Sequence, residues 1–227
     1  VTVARRHLAA LDALRRLREG NERFVDESRT GHQSAGQQRR AQLVDGQEPF
    51  AIILGCSDSR VPAELVFDQG LGDLFVIRVA GNIVAPSQIG SVEFAAEQMG
   101  TRLVVVLGHT QCGAITATLE QLQQPSERQS RNLRSIVGRI RPSIETLLDT
   151  PLKADPAALI HHAVRANIRM SVNQLCHGSE IIEHLIDHDG LLVVGAEYSL
   201  ETGLVDFFYG LPDGTAPSAT AGPAADL

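Results

Sequence analysis

The chain has 227 residues, 43% of them hydrophobic, with only 4% aromatics and no Trp. That is enough for one sizeable domain with an aliphatic core. Its net charge of -7 argues against a nucleic-acid partner, because phosphate contacts need a basic surface. No apolar run approaches the ~20 residues of a membrane span, and three cysteines do not make a disulfide scaffold, so a reducing cytoplasm is expected.

Residues 3–25 place Ala4, Leu8, Leu11 and Leu14 along one helical stripe, with Arg on the other faces. This predicts an N-terminal amphipathic arm over 1–25, packed on its own domain or on a partner chain. The same mix of charge and Leu predicts no signal peptide. Residues 26–48 are polar and read as loop plus a short helix.

An alternation follows. Ala51–Leu54, Leu74–Val79 and Leu103–Leu107 read as strands. Helical segments are expected near Pro62–Phe67, over Gln88–Met99 and over Gln111–Leu122. Apolar strands without polar alternation, separated by helices, predict an α/β fold with a mostly parallel central sheet covered on both faces. Helical patterns return over 133–149 and 156–177, the second with Ile160, Val164, Ile168, Val172 and Cys176 on one stripe. Cys176 therefore reads as core. A shorter helix is expected over 179–188. There His184 and His188 share a polar face opposite Ile181, Ile182, Leu185 and Ile186, and a solvated face is the better reading than a metal site. The adjacent His161 and His162 are expected on different faces. "LLVVGAEYSLETGLVDFF" predicts an additional C-terminal strand pair with a turn near Glu201–Gly203. A single α/β domain thus spans 26–210, and the Pro/Ala/Gly/Ser-rich 211–227 predicts a disordered tail.

Two segments carry the chemistry. "ILGCSDSRVP" (53–62) and "VLGHTQCGA" (106–114) each open with an apolar strand that stops at a glycine. Each then presents soft metal ligands: Cys56 in the first, His109 and Cys112 in the second. Sites in open parallel sheets form beyond the carboxyl ends of the strands, so the three can converge. Two thiols and one imidazole favour zinc in tetrahedral geometry, and three protein ligands leave a fourth position for water, as catalytic zinc sites do. Taken alone, H-x-x-C is a weak signal, and core thiols with a capping imidazole are the plain alternative. The joint position of the three after two matched strands, with Asp58 and Arg60 alongside, shifts the balance toward a metal site.

C-S-D-S-R-V at 56–61 and G-H-x-x-C-G at 108–113, in this order, resemble the β-class carbonic anhydrases. The similarity covers roughly residues 40–210, including "DLFVIRVAGN" and "GSVEFAAEQMG". The resemblance implies one Zn²⁺ per chain on Cys56, His109 and Cys112, and Asp58–Arg60 as a catalytic dyad. It implies reversible hydration of carbon dioxide to bicarbonate and a proton by zinc-bound hydroxide. Zinc lowers the pKa of bound water far below its bulk value, towards ~7. Two thiolates leave the first shell formally neutral, so a basic pH optimum is expected.

Asp58 has two possible roles. It orients the water, or it ligates zinc as a conditional fourth ligand and shuts the site. Arg60 decides between them by holding the carboxylate off the metal. The implied substrate pocket takes Gln47, Phe75, Phe94 (where many members carry Tyr) and the backbone N–H of Gly113. In the family it lies at a dimer interface, so a homodimer or dimer of dimers is implied. One subset of the family has a second bicarbonate site of Trp, Arg and Tyr. Arg78 and Tyr198 match that pattern, but Ile53 stands where Trp is expected, which favours the unregulated, open-site type. Two rival functions remain: hydrolysis of carbonyl sulfide or carbon disulfide on the same scaffold, and a non-catalytic zinc-binding or thiol-sensing protein.

Overall fold

The computed structural model describes residues 9–29, 36–125 and 130–215. Among them, five strands form one sheet: β1 (Ala51–Gly55), β2 (Leu74–Arg78), β3 (Leu103–His109), β4 (Leu192–Tyr198) and β5 (Val205–Tyr209), in the order β2-β1-β3-β4-β5. The first four are mutually parallel and β5 runs antiparallel to β4. Every residue of β1 and β3 is buried, which is why neither shows polar alternation: helices cover both faces. Among the described residues, no helix is long and apolar enough to cross a membrane.

The helices are α1 (Ala10–Val25), α2 (Gln37–Gln42), α3 (Ala63–Val66), α4 (Pro86–Gln98), α5 (Gly113–Gln123), α6 (Arg131–Ile144), α7 (Pro156–His177) and α8 (Glu180–His188). One core contains Ile52, Leu54, Val104 and Val106 with residues of α4 to α8; the other contains Ala51, Ile53, Leu103 and Val105 with residues of α1 and α3. The alternation of side chains along a strand divides them. Chain order reverses between β1 and β3: β2 lies on one side of β1, and β3 and β4 lie on the other. That reversal opens a crevice at the carboxyl ends of β1 and β3, where Cys56 and His109 lie.

The helix α1 packs on the sheet of its own chain, and its buried stripe is not the expected one. Ala13, Leu14 and Leu17 enter the core, whereas Leu11 is 49% exposed. Ala4 and Leu8 fall outside the described residues. The stripe is set by small residues that allow close approach. A Cβ on Gly20 would lie 1.9 Å from the Phe67 carbonyl oxygen. Asn21 then bonds Val66 O at 3.1 Å and Gly203 O at 2.9 Å, and accepts from the Val205 N–H at 2.8 Å.

The single helix expected over 133–149 is shorter. It stops at Ile144 and gives way to 3₁₀ turns at Glu145–Asp149 and Pro151–Ala154. Pro142, inside its last turn, lacks the N–H that the helix would use there. The start of α7 is sharp because Pro156 follows an Asp155 cap that accepts from the Ala157 and Ala158 N–H groups. On α8, Ile182 and Leu185 are buried but Ile181 is 37% exposed. The rings of His184 and His188 stack at 4.5 Å on its exposed side. The expectation for 211–227 falls outside the described residues beyond Thr215.

Candidate metal centre

The sulfurs of Cys56 and Cys112 and a ring nitrogen of His109 all lie within 4.8 Å of one another. All three residues are buried, His109 completely. Cys56 leaves β1 directly and His109 ends β3. The chain then turns through Thr110 and Gln111, the latter with φ of 55°, and Cys112 caps α5. That left-handed step lets His109 and Cys112, three residues apart, face one point. Glu201 braces it: it accepts from Thr110 Oγ1 at 2.9 Å and from Gln111 Nε2 at 2.6 Å.

The imidazole is oriented for ligation. His109 Nδ1 lies 2.8 Å from the Thr110 carbonyl, which only an N–H can satisfy. Nε2 is therefore left with its lone pair, and it is buried without a hydrogen-bond partner. Such an arrangement fixes the tautomer of a metal-bound His. Cys56 receives the Gly81 N–H at 3.4 Å.

The three groups shift one another's protonation strongly. Cys56 is held well below the ordinary thiol range, first by the hydrogen bond from Cys112, with His109 and the Gly81 and Asp58 N–H groups adding to it against burial. Cys112 is pushed up, first by that same bond to Cys56 and then by burial. Burial is the largest influence on His109 and works against its charged form, but the nearby Cys56, the Thr110 carbonyl and Asp58 together raise the imidazole. Two sulfurs and a nitrogen that compete for protons in a dry pocket suit a borderline-soft divalent ion such as zinc.

Asp58 and Arg60 stand at the rim. Arg60 Nε and Nη2 donate to Asp58 Oδ1 and Oδ2 at 2.9 and 2.7 Å, and the Arg60 backbone N–H reaches Oδ1 at 3.0 Å. Arg60, first of all, holds the Asp58 carboxyl far below its usual range. Asp58 Oδ2 lies 3.8 Å from His109 Nε2, so the carboxylate borders the cluster without bonding to it.

The remaining candidates are scattered. Gly113 opens α5 beside Cys112. Phe75 on β2 and Phe94 on α4 pair at 6.3 Å, with Phe94 51% exposed. Gln47 is exposed and lines a separate polar hollow of about 430 Å³ with Arg39, Gln42 and Asp45, so this chain does not bring it to its own cluster. Ile53 is core. Tyr198 is buried beside Phe24. Arg78 clamps the loop after β1, donating to Cys56 O at 3.0 Å and Asp58 O at 2.6 Å. Neither that clamp, nor Gly81, nor Glu201 was legible as part of the site; the signal available was the run "VAGN" directly after β2.

Comparisons with known proteins agree with this geometry. Residues 51–205 match the carbonic anhydrase family model. The chain is 39% identical over 191 residues to carbonic anhydrase 2 of Mycobacterium tuberculosis, covering 84% of this chain and 89% of that one. It is 39% identical over 196 residues to a carbonic anhydrase of Mycolicibacterium smegmatis, covering 86% and 91%. The structure of the β-carbonic anhydrase CcaA superposes with a TM-score of 0.69 at 28% identity, covering 89% of this chain and 94% of that one. With the family match spanning most of the α/β domain and the Cys56–His109–Cys112 cluster assembled at the switch point of its sheet, the chain belongs to the β-class carbonic anhydrases and is an enzyme of that family.

Proposed function

We propose that this enzyme reversibly hydrates carbon dioxide to bicarbonate and a proton, with zinc held by Cys56 Sγ, His109 Nε2 and Cys112 Sγ. The observation that carries the reading is the convergence of those three atoms within 4.8 Å, bordered by the Asp58–Arg60 pair. When bound, zinc acidifies water enough to supply a nucleophile near neutral pH.

The chain's own residues do the rest. Asp58 remains a carboxylate throughout the working pH range because Arg60 favours its charged form. It accepts a hydrogen bond from the reacting water and orients it. Arg60, bonded through two nitrogens, keeps Asp58 from serving as a fourth ligand. Phe75 and Phe94 form the apolar wall on which carbon dioxide rests, and Gly113 offers a backbone N–H to bicarbonate.

The pocket is completed by a second copy of the chain. An exposed Phe94, a β2 that among the described residues pairs on one side only, and a solvent-facing Gln47 support a homodimer in which Gln47 serves the neighbouring site. The cytoplasm suits the two ligand thiols, which must stay reduced. Stopped-flow hydration of carbon dioxide, with zinc measured on the same sample, tests the reading. Turnover proportional to zinc content is expected, and turnover unrelated to zinc would overturn it.

A further inference from the structure

The helix α7 carries two polar residues on its buried face. Asn167 and Ser171 are each only 2% exposed and lie among Val164, Ile168 and Val172. Buried polar groups are costly unless bonded, and both are bonded to one short turn. Asn167 Nδ2 donates to Gly81 O at 2.8 Å, and Ser171 Oγ donates to Asn82 O at 3.0 Å.

That turn is unusual. Gly81 and Asn82 are consecutive left-handed residues, with φ of 69° and 43°. For Asn82 this conformation is uncommon and needs outside support. The space is closed as well: a Cβ on Gly81 would meet Ile140 Cδ1 at 2.8 Å and Ala114 Cβ at 3.1 Å. The outcome of holding Gly81 this way is that its N–H points at Cys56 Sγ, 3.4 Å away.

We infer that Asn167, seconded by Ser171, is a positioning residue for the metal centre: it fixes the turn that delivers the Gly81 N–H to the Cys56 sulfur. An N–H pointed at a thiolate withdraws electron density from it, so the sulfur gives less charge to its metal. A less donating sulfur leaves the metal a stronger Lewis acid. This matters here because two thiolates already offset the charge of a divalent ion. Partners that orient and tune metal ligands from behind are a general feature of such sites. The inference rests on the metal reading above and adds the tuning path from α7 through Gly81 to Cys56.

Cobalt(II) substituted into the whole 227-residue chain tests it, because its sulfur-to-cobalt charge-transfer band reports the donor strength of the thiolates directly. Asn167→Leu keeps most of the volume and removes the donor. The band is expected to move to longer wavelength, with kcat of the zinc form falling ~10–100-fold at unchanged KM. Ser171→Ala should move the band the same way by less. A merely structural role would lower thermal stability and leave the band in place; an unmoved band in the folded variants overturns the inference. Should Asn167→Leu fail to fold, the band of Ser171→Ala decides. A wild-type protein that takes up cobalt without any sulfur-to-cobalt band would instead overturn the metal assignment itself, which separates the two failures.

Discussion

Arg60 grips Asp58 through two parallel contacts, Nε to Oδ1 at 2.9 Å and Nη2 to Oδ2 at 2.7 Å, across a separation of two residues. A surface pair of this kind contributes little to stability, and Arg60 is half exposed, so stability does not explain it. Position does, because the gripped carboxylate ends 3.8 Å from the imidazole of the ligand cluster.

Arg60→Ala should therefore lower hydration by the ~10²–10⁴ typical of a lost positioned group while zinc content stays at the wild-type level. Thermal stability should change little. Arg60→Lys keeps the charge but loses the two-point grip, and should remain well below wild type. Near wild-type turnover in Arg60→Ala would show that the pair is ornamental.

The close approach of α1 makes a second prediction. Gly20→Ala would drive a methyl group into the Phe67 carbonyl, and the clash is with backbone, which cannot swing aside. The variant should lose stability in the ~1–3 kcal/mol range of overpacked sites, read by urea unfolding. An unchanged midpoint would mean that α1 does not dock as described.

A third concerns pH. Glu197 on β4 is 6% exposed, and burial, more than any other influence, raises its carboxyl above the usual range. Arg165 faces it at 3.1 Å and also holds Asp206 at 2.9 Å, His161 lies 3.8 Å away, and the Glu201 charge adds to the upward shift. For an acid raised on folding, the stabilising contribution is full below the ordinary carboxylate pKa and is lost as pH rises through the folded value. Wild type should thus lose stability relative to Glu197→Gln as pH climbs above about 4.5, the ordinary glutamate value. Parallel urea titrations with a constant difference between the two proteins would contradict this.

Much of this was legible beforehand for a physical reason. Strands β1 and β3 are wholly buried, so their residues must be apolar throughout, and the run announces itself. Residues that directly follow such strands inherit a defined position, which is why Cys56, His109 and Cys112 could be brought together from the sequence. Phase and distance were harder. The stripe of α1 was read from its large residues, but Ala13 and Gly20 decide which side faces the sheet, and Leu11 turns outward. Gln47 is nine residues from Cys56 in the chain, yet it lies in a different hollow. The Gly81 N–H could not be read at all, because a backbone donor leaves no mark in the side-chain pattern. Asn167 and Ser171 did leave one, as two polar residues on an apolar stripe.

On the proposed function, Cys56, His109 and Cys112 together hold the zinc on which turnover depends. The most direct test measures zinc per chain and carbon dioxide hydration on the same samples of wild type and Cys112→Ser. One zinc per chain with hydration is expected in the wild type, and loss of most metal and all hydration in the variant. A Cys112→Ser protein with stoichiometric zinc and full hydration would contradict it.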